Sequence, residues 1–276
     1  MRKYIILFAV VFALAGLMGV MIGCRKPVED NWKDGVYFAM QEDFSATSGW
    51  KSTLMLVVSG GKITEANWDA AHISAGKSKK QESIDGEYRM VELGNSISEW
   101  HEQAALVEAF LVETQNVHAI NVSSGYTDSI TGVTIRVTDF VALTQLALNK
   151  GPVGLGPYSD GPKYAESADF NPNSGWKSTL NLTVINGYVA AANWSAVHKD
   201  GGKDKKTSSI DGEYKMVELG QSISEWHEQA LLIEKMLYDT QDPSMIPAKS
   251  DGYADAISGV TIRISDFIAL ANEALK

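Results

Sequence analysis

From Trp50 to Val58 apolar and polar positions alternate through a run rich in β-branched residues, and after Gly60-Gly61 the chain continues from Lys62 to Trp68 in the same manner. A period of two sends successive side chains to opposite faces of a strand, so the pair predicts an antiparallel hairpin. Over Ser98 to Gln115 the period changes. Ala105, Leu106, Ala109 and Phe110 fall near helical spacing, with Ser96 or Ser98 as the N-cap. Thr134 to Val137 is short and β-branched and predicts a further strand, and Phe140 to Leu148 predicts an amphipathic closing helix capped by Thr138 or Asp139.

The whole pattern occurs twice. At an offset of 126 residues Ser48-Gly-Trp-Lys-Ser-Thr-Leu54 falls on Ser174-Gly-Trp-Lys-Ser-Thr-Leu180 and Asn67-Trp68 on Asn193-Trp194. The match continues through His72 and His198, Lys79-Lys80 and Lys205-Lys206, and Ser83-Ile-Asp-Gly-Glu-Tyr88 and Ser209-Ile-Asp-Gly-Glu-Tyr214. Ser96-Ile-Ser-Glu-Trp-His-Glu-Gln-Ala104 recurs as Ser222 to Ala230, and the second hairpin has the stronger turn signal, Asn186-Gly187. A repeat of this length is the size of a small domain, too long for a solenoid unit. The reading is an α+β chain of two tandem homologous domains, 34–150 and 163–276, each a twisted antiparallel sheet with packed helices. The Gly- and Pro-rich segment 151–162 reads as a flexible linker between them.

The N-terminus changes the picture of where the chain resides. Arg2 and Lys3 precede an apolar stretch from Tyr4 to Ile22, and Met21-Ile22-Gly23-Cys24 contains the single cysteine of the 276 residues. A basic start, an apolar core and a small-residue boundary make a secretory signal over 1–23. Its end resembles a bacterial lipobox, which implies lipidation of Cys24 and a polar tether, 24–33, holding the first domain at the extracytoplasmic face of the membrane. The alternative is an uncleaved anchor with a chance cysteine. Removing 1–23 takes away two basic residues, leaving 22 Lys+Arg against 34 Asp+Glu, a net charge of −12. Nucleic acid is therefore not an expected partner.

Candidate chemistry centres on a motif that ends each repeat. Asp128-Ser-Ile-Thr-Gly-Val-Thr134 recurs as Asp255-Ala-Ile-Ser-Gly-Val-Thr261. Gly132 and Gly259 permit a bulky group to approach the backbone, while Val133 and Ile135 anchor the segment and turn the threonine hydroxyl outward. The helix that starts near Asp139, and its counterpart at Ser265-Asp266, offers unpaired N–H groups that suit a phosphate.

This motif, followed by a short extended segment and a closing helix, resembles the flavinylation motif of FMN-binding domains of the NqrC/RnfG type; valine stands where the family has alanine. In that family the last threonine carries FMN through a phosphoester, installed from FAD by a flavin transferase of the ApbE type. The resemblance implies acceptors at Thr134 and Thr261, with Asp128, Thr131, Gly132 and Val133, and Asp255, Ser258, Gly259 and Val260, completing the motif. Gly86 to Met90 and Gly212 to Met216 resemble a segment near the flavin in relatives, which implies contacts from Tyr88, Met90, Tyr214 and Met216. The implied protein is a lipid-anchored electron carrier with two covalent FMN groups, relaying electrons from a membrane donor to an extracellular acceptor, with an electron hop between domains. It is a redox carrier more than an enzyme, and it is the substrate of a flavin transferase.

Other repeated residues have blander readings. Trp50/Trp176, Trp68/Trp194 and Trp100/Trp226 read as core first and as ring-stacking residues second. The double lysines read as solvated loop charges first and as residues that help hold a phosphate second. His101 and His227 have no second histidine four residues on, so zinc is not expected; Ala71 to Ser78 imitates a phosphate-binding loop but lacks its first glycine. The alternatives to electron transfer are a non-redox ligand-binding surface lipoprotein and a pheromone precursor whose signal peptide is the product.

Overall fold

The alternation of β-branched residues becomes a long hairpin in each repeat. A computed structural model describes residues 32–255 and 257–276, so the expectations for the signal segment, for Cys24 and for most of the tether lie outside the described residues. In the first repeat β1 (Gly35–Met40), β2 (Trp50–Ser59) and β3 (Lys62–His72) form an antiparallel sheet in the order β1-β2-β3. Its helices are α1 (Lys79–Ile84), α2 (Met90–Gly94), α3 (Trp100–Thr114) and α4 (Thr138–Lys150), with a two-residue ribbon, β4 (Val122–Ser123) and β5 (Tyr126–Thr127), between the last two. The second repeat has β6 (Gly161–Glu166), β7 (Trp176–Ile185) and β8 (Tyr188–His198) in the same arrangement, then α5 (Lys205–Ile210), α6 (Met216–Gly220), α7 (Trp226–Thr240) and α8 (Ser265–Ala274). The fold is α+β, made twice. The edge strands β1 and β6, which no clear pattern announces, pair with β2 and β7.

Each repeat has its own core. Leu54, Leu56 and Val58 project from one face of β2 onto Trp100, Val107, Leu111 and Phe140 of α3 and α4, and Leu180, Leu182 and Val184 meet Trp226, Ile233, Leu237 and Phe267 in the same way. The other face of β2 carries Lys51 and Thr53, and both are fully buried. The second repeat covers them. Ala71 of β3 packs with Ile185, Ala190 and Ala191 of the second sheet, Thr183 Oγ1 accepts from the Gly76 nitrogen at 2.8 Å, and Phe38 stacks on Tyr188 at 4.0 Å.

The segment between the repeats is held along its length, contrary to the free linker its composition suggests. Val153 and Gly154 donate their backbone N–H groups to Val36 O at 2.8 and 3.0 Å, Gly156 donates to Asn186 O at 3.3 Å, and Tyr158 Oη donates to Gln241 O at 2.7 Å. The helix α4 runs to Lys150 and β6 starts at Gly161, two residues inside the span read as linker.

Three local expectations are corrected. The N-cap of α3 is Glu99, not Ser96 or Ser98: its carboxylate forms a capping box with Glu102, and Glu225 does the same with Glu228. The closing helices have Val137 and Ile264 as N-caps without a side-chain cap bond, so Thr138, Asp139, Ser265 and Asp266 lie in the first turn. Thr134 to Val137 bends at Ile135 and joins no sheet. Val133, Ile135 and Val137 are buried and Thr134, Arg136 and Thr138 exposed, so the alternation holds, but the backbone donors go elsewhere.

Candidate functional site

The Val137 nitrogen donates to Gly125 O at 2.8 Å, and the Thr134 and Ile135 nitrogens go to one side chain. Gln103 projects from α3 into the core with no exposed surface, and its Oε1 accepts from the Thr134 nitrogen at 2.7 Å, the Ile135 nitrogen at 3.1 Å and Thr134 Oγ1 at 3.2 Å. Gln229 repeats this with Thr261 and Ile262 at 2.7, 3.2 and 3.3 Å. A buried amide must satisfy its own donors as well. Gln103 Nε2 donates to Ser96 Oγ at 2.9 Å and Ser98 O at 3.1 Å, and Gln229 to Ser222 and Ser224. The glutamine thus replaces a neighbouring strand and fixes the threonine against the start of α3.

The turn before each threonine needs its glycine. Gly132 has φ +88° and Gly259 φ +84°, and a Cβ there would lie 3.2 Å from Leu106 Cδ1 and 3.0 Å from Leu232 Cδ1 respectively. Val133 and Val260 are buried. Asp128, Thr131, Asp255 and Ser258 are exposed on the surface turn leading to the threonines. These eight residues do not line the neighbouring pocket. The tight turn leaves its polar side chains exposed and brings only the threonine to the pocket rim. Ala256 lies outside the described residues.

A cavity opens beside Thr134, and another beside Thr261. The first has a volume of about 850 Å³ and is walled by Trp50, Trp68, Trp100, Tyr88, Met90 and Lys79. The second, about 350 Å³, is walled by Trp176, Trp194, Trp226, Tyr214, Met216 and Lys205. Arg136 and Asp139, or Arg263 and Asp266, complete the rim. The first is larger because the loop from Gln41 to Ser48 adds Phe44 and its neighbours to the wall, whereas only Asn171 and Ser174 do so in the second. The structure therefore brings Tyr88 and Met90 together with Thr134, and Tyr214 and Met216 with Thr261. Trp68 and Trp100 belong to core and pocket at once, whereas Trp50 lies outside the core cluster: Trp68 is 5.2 Å from Trp100 and 5.4 Å from Phe140, yet it lines the cavity. Its indole N–H and that of Trp194 are buried without a hydrogen-bond partner.

The double lysines divide between two tasks. Lys80 pairs with Glu108 at 2.7 Å and Lys206 with Glu234 at 2.7 Å, tying α1 and α5 to the long helices. Lys79, at the first position of α1, turns into the pocket. Its ammonium lies 4.7 Å from the Tyr88 ring centre, 5.1 Å from Trp100 and 5.4 Å from Trp50. Lys205 repeats the cage at 4.7 Å from Tyr214, 5.0 Å from Trp226 and 6.0 Å from Trp176. Burial among rings pushes both ammoniums down to about 8, against the opposing pull of nearby carboxylates. The solvated reading of these two lysines is thereby overturned. Gln103 and Gln229 were invisible as site residues in the sequence, and recurrence inside a repeated block was their only signal. His101 and His227 contact Ser83 and Ser209 Oγ at 2.8 and 2.9 Å, away from the pocket walls.

Among the described residues no helix is long and apolar enough to cross a membrane. No family model matches the chain, and no curated protein matches it. Two solved structures are similar. One is the solution NMR structure of a Clostridium thermocellum protein, 50% identical, covering 42% of this chain and 89% of that one with a TM-score of 0.34. The other is the crystal structure of a Clostridium perfringens protein, 27% identical, covering 44% and 88% with a TM-score of 0.35. Neither description states a ligand or an activity.

Proposed function

We propose that the chain is an electron carrier of the FMN-binding type, with one flavin esterified to Thr134 and one to Thr261. The observation that carries this reading is the recurrence of one assembly: an exposed threonine, fixed by a buried glutamine, at the rim of a pocket walled by three tryptophans, a tyrosine, a methionine and a lysine that makes no ion pair among the described residues. Flat aromatic walls suit a fused ring system, and the unpartnered indole N–H groups and the cationic rim suit a ligand with polar edges and a phosphate.

Loading transfers a flavin mononucleotide unit from FAD by a transferase: a bond forms between threonine Oγ1 and phosphorus, the pyrophosphate link breaks, AMP leaves, and the hydroxyl proton is released. The Thr134 hydroxyl gives up its contact with Gln103 in this step, but the two backbone N–H groups keep the segment in place. A bound flavin supplies one- and two-electron redox chemistry, and the chain's residues set its exposure and potential. In the proposed setting the lipid on Cys24 holds the carrier outside the membrane, between a membrane donor and an extracellular acceptor.

The test is retention of flavin through denaturation. Protein co-expressed with a flavin transferase is expected to keep its yellow colour and fluorescence on a denaturing gel. A colourless band contradicts the proposal.

A further inference from the structure

The lysines that line the pockets differ from the paired lysines around them. Lys77 pairs with Asp85 and Glu87, Lys80 with Glu108, Lys177 with Glu166, Lys203 with Asp211 and Glu213, and Lys206 with Glu234. In a chain with 34 acidic residues, Lys79 and Lys205 make no ion pair and no side-chain hydrogen bond among the described residues, though both are half-buried. Three aromatic faces stabilise each ammonium through their quadrupoles, but they carry no net charge to balance it. Asp139 and Asp266 stand on the same walls and attract the ammoniums without forming an ion pair with them; Asp139 accepts from Ser52 Oγ at 3.2 Å and Asp266 from Ser178 Oγ at 3.1 Å. The first pocket adds Asp43 on its outer loop; the second has no counterpart. That the same arrangement stands in both repeats argues against an accident of one loop.

We infer that Lys79 and Lys205 are the charge-balancing residues of the two pockets, each ammonium supplying the counter-charge to the negative charge that a bound flavin ring gains on reduction. This rests on the flavin reading above. Two electrons from a reductant and one proton from solvent add one net negative charge to a neutral oxidised ring. A cation held in a water-poor aromatic cage stabilises that charge more than a solvated lysine does. The residue that sets the potential is then a cage lysine 55 positions before the acceptor threonine in the first repeat.

The test uses single-flavin proteins: Thr261→Ala isolates the first site and Thr134→Ala the second. In the first, Lys79→Met and Lys79→Arg are compared with the parent by intact mass and by midpoint potential in a dithionite titration at pH 7; Lys205→Met and Lys205→Arg are the parallel pair in the second. The expected result is full loading in all, a fall in potential in the Met variants, and a potential near the parent's in the Arg variants. Loss of loading in Met with retention in Arg assigns the charge to attachment and overturns its assignment to the reduced ring. Equal potentials in loaded parent and Met variants overturn this inference and leave the flavin reading intact, as does loss of loading in Met and Arg alike. Absence of a mass gain in the parent overturns both.

Discussion

Gln103 and Thr134 are joined twice: the amide oxygen of a fully buried helical glutamine accepts from the backbone nitrogen of the threonine and from its hydroxyl, and the same oxygen also accepts from the Ile135 nitrogen. The same arrangement links Gln229 and Thr261. A side chain here does what a neighbouring strand would do, and it leaves the threonine's outer side open to the pocket.

Replacing Gln103 with Leu keeps much of the volume but strands two backbone donors. Each unsatisfied buried group costs about 1–3 kcal/mol. Gln103→Leu is expected to lower stability by about 2–4 kcal/mol in urea unfolding and to reduce modification at Thr134 while leaving Thr261 unaffected. Equal modification at both threonines contradicts the positioning role.

Lys51 sits at the junction of the repeats, fully buried, with its ammonium 3.7 Å from the Tyr238 ring centre and 4.5 Å from Phe44, and it has no hydrogen-bond partner among the described residues. Burial pushes it down to about 7; Lys235 pushes the same way, and Asp239 and Asp43 oppose. The unfolded chain holds this proton up to the ordinary lysine value of about 10.4, so between that pH and 7 the unfolded state binds more protons and stability rises with pH. Lys51→Met removes the penalty. It is expected to stabilise the chain by about 1–3 kcal/mol at pH 6, with an advantage that shrinks as pH is raised to 9.5. Thermal melts across that range check it. Lys79 and Lys205, present in both proteins, cancel in the difference.

Glu234 is 1% exposed and its only ion-pair partner among the described residues is Lys206. It also accepts from the Trp194 nitrogen at 2.7 Å, so it links the second pocket's wall to α7. Lys206→Met leaves a buried carboxylate without its cation, and a loss of about 3–5 kcal/mol is expected. Desolvation already raises this carboxyl. Without the lysine it rises further, so the folded state keeps a proton that the unfolded chain has released, and the variant is expected to be more stable at pH 5 than at pH 7. Unchanged urea midpoints contradict this.

Much of the fold was legible because it is local. The hairpins follow from the alternation around Gly60-Gly61 and Asn186-Gly187, and the long helices from the apolar spacing after Trp100 and Trp226. The edge strands were not legible, since Gly35 to Met40 and Gly161 to Glu166 are defined by pairing rather than by pattern. At the site, the threonines and the Tyr–Met pairs were legible as motif members. Gln103 was not, because a helical glutamine looks like any other polar residue until its partner 31 positions away is known. Lys79 and Lys80 are identical in sequence, and only the helical turn beginning at Lys79 sends one to the aromatic cage and the other to Glu108. The linker was misread for the same reason: its glycines and prolines describe the unfolded segment, while Val36, Asn186 and Gly187 hold the folded one.

The central claim is that both threonines carry a flavin, and the intact mass of protein co-expressed with a flavin transferase tests it most directly. The account predicts a gain of two flavin mononucleotide units, one fewer in Thr134→Ala, one fewer in Thr261→Ala, and none in the double variant. An unmodified mass, or a gain that survives in the double variant, contradicts it.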